Sequence, residues 1–154
     1  MDKARISWQI LEELSESDYE YIQYKNYTEE GSFIPGDIVK KTILVWNNYL
    51  GTEDRESIYN SKLVFSFKDY EDNFLLNLIR VSIDDGAEQS LSIDMDKGIV
   101  LLGDLSGSAN NGAVSNTSNF KKINLSIGPI PNNIKSDLKN LYMYVESSDF
   151  TEIY

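Results

Sequence analysis

The chain offers carboxylates for chemistry and little else. Aspartates crowd one stretch, SIDDGAEQSLSIDMDKG, at positions 84, 85, 94 and 96. Clustered hard oxygens of this kind suit Ca²⁺. Asp94-x-Asp96-x-Gly98 resembles part of an EF-hand loop, yet that loop requires a glutamate at position 12, and counting Asp94 as the first places Leu105 there. The pattern fails. What remains is a calcium site assembled from loops at a sandwich edge, or plain solvated turn acids, which is the expectation; no metal is assigned. Asp69 and Glu71 have the residue types of a carboxylate-only hydrolase, without a spacing that favours one.

The second group is aromatic. DYEYIQYKNY carries Tyr19, Tyr21, Tyr24 and Tyr27 beside acids. Tyrosines spaced along a strand can stack on sugar rings, as in a carbohydrate-binding module, with or without Ca²⁺. They can equally pave a half-buried sheet face or anchor a subunit contact.

The missing residue types narrow the field. There is no histidine and no cysteine. A Ser-His-Asp triad, a histidine base, a histidine or thiolate metal site and a disulfide framework are therefore excluded within this chain. The expectation is no enzyme and no cofactor. A formal net charge of −11 repels a phosphate backbone and an anionic membrane surface, so neither nucleic acid nor membrane is an expected partner. The opening residues, MDKARISWQILEELSESD, lack a secretory pattern. No run approaches the ~18 apolar residues of a membrane-spanning helix.

These groups must be positioned by strands. NFKKINLSIGPIPNN alternates Ile123, Leu125 and Ile127 against Lys122, Asn124 and Ser126. LYMYVESS sets Leu141, Met143 and Val145 against Tyr142, Tyr144 and Glu146. KLVFSFKD places Leu63, Phe65 and Phe67 on one face, and NLIRVSIDD does so with Ile79, Val81 and Ile83. ISWQILEEL fits a helical stripe at 6, 10, 11 and 14, but Ile6, Trp8 and Ile10 also alternate; two strands are expected in the N-terminal third. A helical turn at 132–141 is the competing feature near the other end. Turn signals at 34–37, 47–54, 68–73, 84–89, 94–98, 106–116 and 129–133 separate the runs at sandwich-like spacing. The chain, 1–154, reads as one all-β domain: an antiparallel, immunoglobulin-like β-sandwich of about eight strands.

One turn stands out. KKTILVWNNYLGTED runs from a buried strand into Asn47, Asn48, Tyr49, Leu50 and Gly51. Asparagine and glycine tolerate positive φ, so this is first a turn, with Trp46 as a core anchor. Tyr49 and Leu50 form an apolar tip, a candidate contact for another chain. SGSANNGAVSN, 106–116, reads as a long flexible loop without the order of a phosphate-binding loop.

ISWQIL, IPGD, ILVWNNYLGTED, LGDLSGSANNG, NFKKINLSIGPIPNN and LYMYVES occur in an order that resembles Ig-like structural proteins from tail-module or virion gene clusters of phages and prophages of Firmicutes. The likeness spans about residues 5 to 147. It implies no catalytic residues. It implies a non-catalytic structural or assembly subunit of a phage or phage-like particle, docking in many copies onto other virion proteins and assembled in the host cytoplasm. On this expectation Tyr49, Leu50, Tyr19, Tyr21 and Tyr24 are the candidate subunit contacts. A carbohydrate-binding module is the alternative.

Overall fold

A computed structural model describes residues 1–11, 19–22, 35–68, 70–111, 117–132, 141–148 and 150–151. Tyr24, Tyr27, Asp69, residues 112–116 of the long loop and residues 133–140 of the expected helical turn lie outside the described residues.

Two antiparallel sheets face each other. The six-stranded sheet takes β1 (Ile6–Leu11), β2 (Tyr19–Ile22), β3 (Val39–Asn47), β5 (Ile79–Ile83), β6 (Gln89–Ser90) and β9 (Phe120–Ile127), in the order β2-β1-β3-β9-β5-β6. The five-stranded sheet takes β4 (Ile58–Phe67), β7 (Ser92–Asp94), β8 (Lys97–Leu105), β10 (Leu141–Ser147) and β11 (Phe150–Thr151), in the order β11-β10-β4-β8-β7. The all-β sandwich is therefore the fold. β6 and β7 edge different sheets and are separated only by Leu91, itself nearly buried, so one short run closes that side of the sandwich.

Alternation builds the core, because successive side chains on a strand point to opposite faces. Trp8, Ile43, Val45, Ile79, Val81, Ile123, Leu125 and Ile127 point inward from one sheet. Leu63, Phe65, Phe67, Val100, Leu102, Leu141, Met143 and Val145 meet them from the other. The two expected N-terminal strands are present, with Trp8 opposite Val45 and Ile22.

Two features differ from the sequence reading. The expected turn at 68–73 opens a 3₁₀ segment, Tyr70–Leu78, whose Leu75 and Leu76 are buried in the core. Its position explains it: β4 and β5 belong to different sheets, and the connection must cross the ~10 Å between packed sheets. The second feature is Trp46. It is fully buried, but it does not join the inter-sheet core. Ile43 and Val45 point into that core, so Leu44 and Trp46 take the opposite face of β3. There Trp46 packs on Phe120 at a 4.6 Å centroid separation and donates its indole N–H to Gln9 Oε1 at 2.7 Å.

Candidate functional site

At one end of the sandwich, the chain leaving β3 meets the chain leaving β8. Asn47 and Asn48 begin this junction. The side-chain oxygen of Asn47 accepts the backbone N–H of Arg5 at 3.0 Å, and its amide donates to the carbonyls of Glu56 and Leu105. Asn48 sits at φ 60° with its amide directed at the carbonyls of Glu53 and Gly107, both at 2.8 Å. Asn110 returns the link, donating to the carbonyl of Asn48 at 2.7 Å and of Ser108 at 3.1 Å. Asn119 ties down Ser106 and Ser108 in the same way. All four asparagines are buried. Buried carbonyls need donors, and primary amides supply two each. Residues 106–111 are thus stitched in place, which corrects the expected loose loop over this stretch.

Two glycines permit the approach. A Cβ on Gly51 would overlap the side-chain amide of Asn48, and one on Gly107 would overlap the carbonyl of Arg55. Neither position has room for a side chain without local rearrangement.

Beside this knot lies a cleft of about 190 Å³, lined by Asp2, Arg5, Asn48, Leu50 and residues 51–55. Arg55 is engaged: its guanidinium donates to the carbonyl of Lys3 at 3.0 Å and stands 4.0 Å from Asp2. Asp54 accepts the backbone N–H of Ala109 at 3.0 Å. Arg5 differs. It is half-buried, its Nη2 donates to the carbonyl of Tyr49 at 2.7 Å, and its Nε is buried without a partner. Among the described residues no carboxylate pairs with it.

The residues singled out from the sequence fall in different places. Tyr49 is half-buried, its ring edge-on to Trp46 at 4.9 Å and its hydroxyl 3.4 Å from Gln9 Nε2, so it is not a projecting tip. Leu50 is exposed and lines the cleft. Tyr19 and Tyr21 lie on β2, opposite Leu11 and Gln9. The acidic turn is met by lysines: Asp84 stands 3.4 Å from Lys121, and Asp85 stands 3.2 Å from Lys122. Among the described residues no group of three metal-binding side chains converges, and no helix is long and apolar enough to cross a membrane. Arg5, Arg55, Asn110 and Asn119 were not singled out from the sequence. The one available signal was asparagine recurring beside glycine, in NNYLG and ANNG.

No family model matches the chain, and no curated protein matches it. Among solved structures it is similar to AvmM, described as catalysing macrocyclization in alchivemycin A biosynthesis, at 11% identity and a TM-score of 0.39, over 94% of this chain and 71% of that one. AvmM is described as a catalyst. That description stands against two expectations, a non-catalytic subunit of a phage-like particle and no enzyme, and neither is carried further. At that identity and TM-score the likeness carries no reaction, substrate or residue across, so the function must be read from the cleft itself.

Proposed function

We propose that this protein binds a small polar molecule bearing a carboxylate head in the end cleft beside Asn48 and Arg5. The single observation that carries the reading is Arg5. In a chain with 25 acidic and 14 basic side chains, a half-buried arginine lines a cleft and, among the described residues, has a backbone carbonyl and no carboxylate as its partner. The planar fork of arginine matches a carboxylate in two parallel hydrogen bonds. The walls are fixed in advance by the asparagine knot, so little ordering opposes binding.

Asp2, Glu53 and Asp54 share the cleft. They disfavour a polyanion and suit hydroxyl or ammonium donors elsewhere on the ligand. They are also the groups at hand for proton transfer, should the bound molecule react.

Thermal melts of the wild type and Arg5→Met with a set of small carboxylates and phosphates test this reading. The substitution keeps the backbone N–H and carbonyl of residue 5, which hold Asn47 and Asn48. A carboxylate at a hundredfold excess over its Kd should stabilise the wild type by about 2.7 kcal/mol, several degrees in a domain of this size, and leave Arg5→Met unmoved. An equal rise in both proteins, a response to phosphates alone, or no rise with any compound would overturn the proposal.

A further inference from the structure

Leu50 is the feature of the cleft that a charged head does not explain. It is the one apolar side chain among the lining residues, and it is 54% exposed. It occupies the third position of the turn Asn48–Gly51, which closes with the N–H of Gly51 on the carbonyl of Asn48 at 2.9 Å. Its φ is 59°. At that position and φ, glycine or asparagine is the usual residue, and a leucine is strained. No burial in the core offsets the strain, because Leu50 is not part of it.

The strained tip is also held rigidly. Asn48 is pinned by the carbonyls of Glu53 and Gly107. The carbonyl of Gly51 accepts the N–H groups of Asn110 and Asn111 at 3.0 and 3.3 Å. Exposed Met95 also holds a positive φ, 56°, so strain alone does not mark a site; what sets Leu50 apart is that it stands fixed at the rim of the cleft.

We infer that Leu50 is the specificity-determining lip of the cleft, covering a short aliphatic portion of a ligand whose carboxylate lies at Arg5. The inference rests on the reading of the cleft given above and names the ligand class: a small amphiphilic carboxylate. The cleft, about 190 Å³ and open to solvent, has room for a small head group and a short chain.

NMR titration of the wild type, Arg5→Met and Leu50→Gly with acetate, propionate, butyrate and pentanoate separates the two claims. Wild-type affinity should rise by roughly twofold to fourfold per added methylene, as expected for partial to full burial of each group. In Leu50→Gly the ratio of pentanoate to acetate affinity should collapse towards one. The same variant should melt a few degrees above the parent, because glycine accepts φ 59° without strain. Arg5-dependent binding with no dependence on chain length would overturn the role of Leu50 and leave the cleft reading standing. So would a Leu50→Gly protein that keeps the full wild-type ratio or melts below the parent. Binding of no member of the series would overturn both.

Discussion

The side-chain amide of Asn48 donates to the backbone carbonyl of Gly107 at 2.8 Å, joining positions 59 residues apart. This bond and its neighbours make the end of the sandwich a preorganised wall rather than two loose loops. Removing the amide orphans buried carbonyls, each worth about 1–3 kcal/mol when left unpaired. Asn48→Ala should therefore lose about 2–4 kcal/mol in guanidinium unfolding, with part of the loss coming from alanine at positive φ. A change under about 0.5 kcal/mol, the usual range of surface substitutions, would mean that the knot does not hold the loops.

Gly51 tests the same junction from the other side. The added methyl of Gly51→Ala meets the Asn48 side chain and must displace it. The expected cost is on the order of 1–3 kcal/mol, as for other overpacked sites. Pairing the change with Asn48→Ala should recover part of it, since the obstructing atoms are gone. Strict additivity in the double mutant would contradict a shared origin.

Trp46 is buried on the outward face of its sheet, between Phe120, Tyr49 and Gln9. Trp46→Ala should cost about 3–5 kcal/mol although the inter-sheet core is untouched. Trp46→Phe keeps a ring but leaves Gln9 Oε1 without its donor, for a loss of about 1–3 kcal/mol. Indole fluorescence follows this directly, because Trp8 remains as an internal reference in the core. An unshifted melt in either variant would show that this second layer contributes little.

Much of the sandwich was legible because most strands bury a single face. Ile123, Leu125 and Ile127 alternate with Asn124 and Ser126, Leu63, Phe65 and Phe67 recur at every second position, and each set lies in the core. The run from Ile43 to Trp46 was different. All four residues are apolar because both faces of β3 are covered, so periodicity cannot say which pair turns inward. Acids at the start of the 70–78 segment read as a solvated turn and hid the buried pair Leu75–Leu76. The cleft was legible only in part. The NNYLGTED turn supplies Asn48 and Leu50 to Asp54, but Asp2 and Arg5 come from the start of the chain, and only strand pairing brings them to that turn. The tyrosine-bearing strand and the acidic turns drew attention through composition, which reports residue type and not convergence.

The acidic turn at Asp84–Asp85 should behave as surface. Lys121 and Lys122 lie at ion-pair distance, in exposed or half-exposed settings where such pairs contribute ~0–1 kcal/mol. Millimolar EDTA should leave the melting temperature unchanged, and added Ca²⁺ should not raise it. A drop with EDTA that Ca²⁺ restores would place a metal here or at another acidic loop.

The most direct test of the central claim is a map of where a small carboxylate touches the protein. Butyrate titrated into ¹⁵N-labelled protein should shift the Arg5 side-chain Nε–H and the backbone amides of Asn48 to Arg55 most strongly, with saturation. Arg5→Met should abolish those shifts while keeping the rest of the spectrum. Shifts centred on another surface, or the same map in Arg5→Met, would contradict a carboxylate site in the end cleft.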